Sequence, residues 1–243
     1  MLTLEETWKK LIEIGIVHGD MPKVNWNLSG VNLSGVYLNE ADLFGVILSG
    51  ANLSGIYLNE ADLSGANLSE ADISGAFLIG SNLIGANLNK AKLYKANLSG
   101  IYLGKSKLTG ADVREADLSE ADLFKTDLSK ADLSGANLSG ANLTKANLCG
   151  ANLSESNLSG ARLNGANLSG ADLTGATLSG AFLIETNLSG ANIKEANFSD
   201  ADLQGAILRG ANLSGANIKE ANLSDADLSG AILSGNGLGA ENQ

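Results

Sequence analysis

Ala-Asp-Leu-Ser-Gly-Ala-Asn-Leu-Ser-Gly, residues 131–140, contains two copies of the five-residue unit that decides the fold of this chain. The unit, Ala-(Asp/Asn)-Leu-Ser-Gly, recurs without a slipped residue from Trp26 to Gly235, which gives 42 consecutive units over 210 residues. A repeat array buries its core between neighbouring units rather than around one centre, so the domain count expected from length does not apply.

The central position of the unit is Leu in 37 of the 42 units, and two residues earlier Ala occupies 31 units. Residues two apart point to the same side of an extended segment, so this large and this small apolar residue face inward, and the intervening Asn or Asp faces outward. A helix is excluded, because a period of five does not match the helical period and glycine at every fifth residue destabilises a helix.

The last position of the unit is the predicted corner. Gly fills it in 25 units, where a type II turn needs positive φ and glycine adopts that conformation without steric cost. The other 17 units carry Glu, Asp or Lys there, and we expect those corners to use a different turn. Each unit is therefore a short strand and a corner, and successive units wind into a coil with the leucines inside.

The uninterrupted run of A(D/N)LSG units resembles the pentapeptide repeat family over 210 of the 243 residues. The resemblance implies an all-β fold, a right-handed four-sided parallel β-helix with four units per coil and about ten coils. Spacing alone does not give the number four. Residues 35–43 return at 55–63, a 20-residue step, whereas residues 191–197 return at 216–222, a 25-residue step.

Residues 1–25 precede the repeats and are predicted to form a helical cap and its connection. Thr3 and Glu6 have capping-box spacing, and an amphipathic helix is expected from about Leu4 to Ile14. Its apolar face is formed by Leu4, Trp8, Leu11 and Ile12. A solenoid's first coil otherwise exposes its core and its strand edge. The other interpretation is a helix that docks a partner or a membrane.

The segments next to the repeats offer little chemistry. His18, the only histidine, is expected to be an ordinary residue of the connection. Residues 236–243 form a short polar tail that can cap little, so the last coil, residues 216–235, is expected to expose core and strand edge. We therefore hypothesise a homodimer through the C-terminal end.

Departures from the repeat on the outside of the coil are the candidate interaction surface. Tyr37, Tyr57 and Phe77 lie 20 apart and are predicted to form an outward aromatic ladder. Two interpretations are open: pairing between coils that stabilises any sheet, or a strip that contacts a protein. Another side carries scattered apolar residues, namely Phe44, Ile84, Tyr102, Phe124, Phe182 and Ile184.

Charge is unevenly distributed along the chain. The net charge of −11 argues against direct binding of nucleic acid or of an anionic membrane. Lys105, Lys125 and Lys145 are predicted to form a like-charged ridge along one corner, interpreted either as solvated or as facing an anionic partner. Three stacked pairs are predicted to be exposed ion pairs: Lys92–Asp112, Lys95–Glu115 and Lys107–Asp127.

No catalytic motif, metal site or cofactor site is found in the sequence. Outward carboxylates point to different sides of a convex rod, and Cys149 has no histidine in the repeat to activate it. A single cysteine excludes an internal disulfide and fits a reducing compartment. Without a secretory signal or a run long enough to span a bilayer, the expected location is cytoplasmic.

These features favour a non-enzymatic structural rod that presents surfaces to a protein partner, which the sequence does not identify. The family resemblance supplies an alternative, because some members are DNA mimics that bind DNA gyrase and protect it from quinolones. Overall acidity fits this alternative, but nine basic residues between Lys90 and Lys145 interrupt the acidic surface. Ice binding by the serines that follow the central residue in 22 units ranks last, because those serines lie at corners.

Overall fold

The computed structural model describes residues 2–15 and 26–235. Within these ranges the chain forms one helix, α1 (Leu4–Glu13), and then a continuous coil. Each extended segment of the coil is a single bridging residue, and every bridge is parallel and joins residues 20 apart, from Asn27–Ile47 to Asn212–Ile232. Four units therefore make one coil, as the family resemblance implied.

The four sides of the coil are named here by their columns of bridging residues. Side A begins at Asn27, side B at Asn32, side C at Tyr37 and side D at Asp42, and each column recurs every 20 residues. A residue and its neighbours 20 positions away therefore share one side of the rod, in adjacent coils.

Backbone hydrogen bonds join each unit to the unit one coil later. Leu133 N–H donates to the carbonyl oxygen of Asn152 at 2.7 Å, and Asn152 N–H donates back to Ala131 at 2.9 Å. At the corner, Gly135 N–H donates to the carbonyl of Ser154 at 2.9 Å. Because these bonds run between coils, an unpaired strand edge arises only where the coil begins and where it ends.

The core is the column of central residues and the alanines two positions before them, as predicted. Leu133 and Ala131 are at most 1% exposed, and the same positions are buried from the second coil to residue 216. Five buried hydroxyls replace alanine in this column, and each donates to a leucine carbonyl oxygen, which satisfies the polar group inside an apolar core. They belong to Ser81, Ser106, Thr126, Ser156 and Thr186.

The expectation of a different turn at the corners without glycine is wrong. All 17 Glu, Asp and Lys corners have φ between +55° and +61°, close to the +62° to +77° of the glycine corners. Side chains other than glycine disfavour this left-handed region by about 1–2 kcal/mol per residue. The bonds between coils impose one corner geometry on every unit, and this overrides the local preference of the residue.

Helix α1 closes the first end of the coil. The capping box between Thr3 and Glu6 is present as predicted, and the helix ends at Glu13 with Ile14 as its C-cap. Trp8 is buried against Trp26, with ring centroids 5.0 Å apart, and Leu11 is fully buried. These contacts favour the cap over a helix that docks a partner.

Two bonds from the N-terminal segment reach the edge of the first coil. Leu2 N–H donates to the carbonyl of Glu40 at 2.6 Å, and the buried Thr7 hydroxyl accepts from Asp42 N–H at 3.0 Å. His18 and the C-terminal tail lie outside the described residues, so the expectations for them, and the domain boundaries at 25 and 235, stay predictions.

Candidate protein-interaction surface

One cavity in the described part of the coil is too small for a small-molecule substrate. This cavity of about 10 Å³ lies towards the C-terminal end, lined by apolar side chains around Phe198. Small-molecule sites commonly measure about 300–1,000 Å³. The candidate functional residues are therefore outward side chains.

The aromatic ladder of Tyr37, Tyr57 and Phe77 has the predicted geometry. The Tyr37 and Tyr57 rings are parallel within 5° with centroids 4.2 Å apart, and Tyr57 and Phe77 stack at 4.8 Å and 6°. Tyr37 is 61% exposed, whereas the other two rings are half-buried. A hydrogen bond with Tyr37 raises the pKa of Tyr57. Its role in binding stays a prediction.

The corner between sides C and D, next to the ladder, is fixed by stacked amides. Asn39 Oδ1 accepts from Asn59 N–H at 3.0 Å, and Asn59 Oδ1 accepts from Ile79 N–H at 2.9 Å. The exposed side chain of Ile79 continues the apolar surface beside Phe77. Hydrogen bonds between coils thus support the corner next to the aromatic rings.

The lysine ridge of Lys105, Lys125 and Lys145 also lies as predicted, along the corner that follows side D. All three residues are exposed and have φ between +56° and +60°. Lys125 Nζ lies 5.2 Å from the centroid of the Phe124 ring. No ion pair joins any of these three lysines to a carboxylate of residues 2–15 or 26–235.

Among the other stacked charges, Lys95 and Glu115 form the predicted ion pair, at 3.3 Å. The Tyr94 hydroxyl donates to Glu115 at 3.3 Å. Tyr94 and then Glu115 raise the pKa of Lys95. Because both partners are more than half exposed, the pair contributes at most about 1 kcal/mol.

The other two predicted ion pairs are wrong. Asp112 is bound by Arg114, whose Nε and Nη2 lie 2.7 Å from the two carboxylate oxygens, and this lowers the pKa of Asp112. Lys92 lies instead 4.0 Å from Asp72. Asp127 accepts hydrogen bonds from side chains that include Thr109 and Asn147, and no ion pair joins it to Lys107.

Side D carries the second apolar surface, and the structure brings its predicted members together on one side. Four of them are exposed by 46–66%: Phe44, Ile84, Tyr102 and Phe182. Phe124 and Ile184 are half-buried at the corner of the same side. This apolar surface adjoins the lysine ridge, since Phe124 directly precedes Lys125 in the chain.

Comparison with known sequences assigns the repeat. The family model described as pentapeptide repeats (8 copies) matches almost the whole coil, at residues 27–59, 61–100, 101–140, 131–170, 166–203 and 196–235. The chain belongs to the pentapeptide repeat family.

Two solved pentapeptide-repeat structures are similar to this chain. HetL, a pentapeptide repeat protein involved in heterocyst differentiation regulation from the cyanobacterium Nostoc sp. strain PCC 7120, is 35% identical with a TM-score of 0.72, and the match covers 96% of this chain and 98% of HetL. A trypsin-treated variant of QnrB1, a plasmid-mediated fluoroquinolone resistance protein, is 24% identical with a TM-score of 0.56, covering 86% of this chain and 90% of QnrB1. No curated protein sequence matches the chain.

Sequence reasoning missed the role of Asn and Asp in this pentapeptide repeat. It assigned them to solvent, but Asp132 Oδ1 accepts from Ser134 N–H at 3.1 Å, and Asn152 Nδ2 donates to Asp132 Oδ1 at 3.0 Å. The side chain thus supports both its own turn and the adjacent coil. The available signal was the preference of this position for Asn and Asp, which hold it in 30 of the 42 units and form such turns readily.

The described part of the pentapeptide-repeat chain holds no cluster of three or more His, Cys, Asp or Glu side chains that could bind a metal ion. Cys149 is free and exposed, and Ser169 Oγ lies 3.4 Å from its sulfur. Within those same ranges, no helix has the length and hydrophobicity to cross a membrane.

Proposed function

We propose that this chain is a non-enzymatic rod that binds a protein partner through outward side chains held at fixed spacing. The observation that carries the proposal is the aromatic ladder, because Tyr37, Tyr57 and Phe77 replace the polar residue of the repeat on a rigid convex surface. Exposed apolar patches often mark interfaces. HetL takes part in the regulation of a differentiation process, which supports a regulatory role here as well.

The proposed contact residues lie on two surfaces. The first is the ladder on side C, and the second is the lysine ridge of Lys105, Lys125 and Lys145 after side D. The ladder offers flat apolar area, and the ridge offers three charges that pair with no carboxylate of residues 2–15 or 26–235. A partner that recognises both must therefore be in contact with neighbouring sides of the rod.

A ladder variant tests the interaction role. In Tyr37→Asn/Tyr57→Asn/Phe77→Asn, each ring becomes the residue that the same column has at Asn97 and Asn157, so the coil is expected to persist. Full-length wild type and variant are used to capture proteins from cells that express the chain, followed by quantitative mass spectrometry. We expect one protein to be retained by wild type and lost by the variant.

The matched control changes the same side without touching the rings. Asn137→Thr/Asn157→Thr/Asn197→Thr uses the residue found in this column at Thr177, and it should retain the partner. Equal capture by wild type, the ladder variant and a Lys105→Glu/Lys125→Glu/Lys145→Glu variant would contradict the proposal.

The alternative function is a DNA mimic that acts on DNA gyrase. Its support is the acidic composition. The 24% identity to QnrB1 indicates a shared fold and carries no argument about function. The nine basic residues from Lys90 to Lys145 count against it. A gyrase supercoiling assay with a quinolone separates the two functions. Protection of gyrase by this chain favours the DNA mimic, and the absence of any effect at micromolar protein contradicts it.

We also propose a homodimer through the C-terminal coil. Ile218, Leu223, Leu228 and Leu233 are only partly buried there, and Ile232 is 53% exposed. Sedimentation of wild type should show a dimer at high concentration, and Leu228→Lys should shift it to monomer. A wild-type monomer at every concentration rejects the dimer.

Two finer properties complete the proposal. We infer that the coil is right-handed, on the strength of family membership. We also infer a cytoplasmic location, which the single free cysteine, Cys149, supports because it fits a reducing compartment.

A further inference from the structure

We propose that side D and the adjoining lysine ridge bind an acidic amphipathic α-helix that lies parallel to the rod axis. The inference rests on the interaction role proposed above and specifies the chemistry of the partner. Four observations carry it: an apolar strip, a charged border, the asymmetry of the two corners of side D, and the spacing of the coils.

The apolar strip of side D has Tyr102 and Phe182 as its ends in the bridging column, with Asp122, Asn142 and Arg162 between them. Tyr102 and Phe182 take bridging positions that the repeat normally fills with Asn or Asp, and they are 49% and 46% exposed. They lie four coils apart, which is about 19 Å at the usual spacing between strands. Phe124 and Ile184 add half-buried apolar surface at the edge of the strip.

The lysine ridge borders the Tyr102 end of this strip, whereas the same corner carries Glu185 beside Phe182. Its three like charges follow one another in successive coils, and no carboxylate of the described residues pairs with them. Like charges about 5 Å apart repel one another, even though solvent and salt weaken the effect. An anionic partner that lies along the ridge removes this repulsion.

The opposite corner of side D has a different character in the same coils. It carries Gly100, Glu120 and Gly140. In these three coils side D therefore has a basic border on one edge and a neutral to acidic border on the other. A bound segment is oriented by this asymmetry, with its acidic stripe towards the ridge and its apolar stripe over Tyr102 and Phe182.

The spacing of the coils fits an α-helix better than a strand. A helix advances about 5.4 Å per turn and the coils about 4.8 Å, so across the three lysines the two differ by about 1.2 Å in total. A strand laid along the axis repeats the same face about every 6.7 Å and would differ by about 4 Å. Backbone groups of side D are also already bonded between coils, as in Tyr102 N–H to the Ser81 carbonyl at 3.0 Å.

The test uses a designed peptide of about 21 residues, which spans about 31 Å as a helix and runs past the whole strip. It carries one glutamate per turn on one stripe and leucines on the adjacent stripe. A second peptide has lysine at each glutamate position. Fluorescence anisotropy with the full-length chain should give a Kd of about 10 μM for the acidic peptide and at least about tenfold weaker binding for the basic one.

Variants of the chain locate the site. Lys105→Glu/Lys125→Glu/Lys145→Glu should lose at least about tenfold in affinity for the acidic peptide and should gain affinity for the basic one. The matched control, Lys90→Glu/Lys95→Glu/Lys130→Glu, makes the same charge change at three other corners with positive φ and should stay near wild type.

The apolar strip has its own variant. Tyr102→Asn/Phe182→Asn restores the residue that this column has at Asn82 and Asn142, so the coil should persist while affinity falls at least about tenfold. Circular dichroism confirms that each variant is folded before binding is measured.

Three results would overturn the inference: equal binding of the two peptides, no binding of either, or unchanged binding by the ridge variant. Tighter binding of a short DNA duplex than of the acidic peptide would also overturn it. If the acidic peptide does not bind while the ladder variant loses its captured protein, the proposed interaction role is supported and only the helix-binding site on side D is rejected.

Discussion

The two ends of the rod differ, although the units that form them are alike. In the first coil, Leu43 is 2% exposed, because α1 packs over that end through Trp8 and Leu11. Leu223 occupies the same column of side D nine coils later and is only partly buried. Each repeat unit buries the core and bonds the backbone of its neighbours, but the first and last coils have a neighbour on one side only. Residues outside the repeat therefore decide stability at the two ends.

Backbone hydrogen bonding shows the same contrast. At the first coil, Thr7 and Leu2 bond to backbone groups of residues 40–42. At the last coil, Leu223 N–H has no backbone acceptor among residues 2–15 and 26–235. Residues from outside the repeat thus bond to the edge of the first coil, and among the described residues the last coil has no such bond.

The largest expected effect is that of removing the cap. Trp8→Ala deletes the ring that packs on Trp26 and should destabilise the first coil by about 3–5 kcal/mol. Hydrogen exchange should accelerate in residues 26–45 and stay unchanged in residues 216–235. Ile12→Ala, at a position 40% exposed, is the control and should change little. Equal acceleration at both ends would show that α1 is not specific to its end.

A matched pair of core deletions compares the ends directly. Leu43→Ala should cost about 2–4 kcal/mol, since it leaves a cavity at a buried site. Leu223→Ala, in the same column, should cost about 1–2 kcal/mol because less apolar surface is lost from burial. Urea unfolding of the two variants measures the difference. Equal costs would mean that Leu223 is covered as fully as Leu43, for example by a second copy of the chain.

Corner substitutions should have smaller effects, of opposite sign at the two ends. Glu220 has φ +59°, so Glu220→Gly relieves left-handed strain and should stabilise the last coil by about 1 kcal/mol. In the first coil, Gly45 has φ +63° and open space where a Cβ would lie, so Gly45→Ala should destabilise by about 1 kcal/mol through backbone conformation alone. Thermal unfolding tests both. A destabilised Glu220→Gly variant would indicate that the glutamate side chain stabilises its corner.

The smallest expected effect concerns pH. Hydrogen bonds from the Ser229 hydroxyl and N–H, and then from Arg209, lower the pKa of Asp227 to about 2. A pKa below the unfolded value of about 3.9 means that this contribution is complete above about pH 4 and is lost as the pH falls through 2.

Titration by NMR checks this at both ends. Ser229→Ala should raise the pKa of Asp227 and leave unchanged that of Glu6, which the Thr3 N–H lowers at the other end. An Asp227 pKa that is unchanged by this substitution would contradict the role of the Ser229 hydroxyl.

Much of the fold could be predicted from the sequence, because a strict period of five leaves few choices for the leucine, the alanine and the corner. The cap was predictable from Thr3, Glu6 and the apolar face that contains Trp8. The corner geometry at Glu and Lys was not, because bonds between coils override what a single residue prefers. The number of units per coil also depends on that corner angle, which the spacing does not encode.

The candidate site was predictable only in part. Residues 20 apart were correctly placed in columns, which gave the ladder and the ridge. The partners of Asp112 and Asp127 were not predictable, since flexible side chains select among several neighbours at similar distance. The adjacency of the ridge and the apolar strip emerged only once the four sides were known.

Because each coil has 20 residues on four sides, the number of units between two surface residues determines which sides of the rod they occupy. Inserting or deleting one five-residue unit keeps the core continuous but turns every later surface by one side relative to the earlier ones. The chain contains an example: the segment at 191–197 starts on side B, and its copy at 216–222, five units later, starts on side C. Gain or loss of whole units is thus a route by which evolution can rotate a binding surface around an unchanged core.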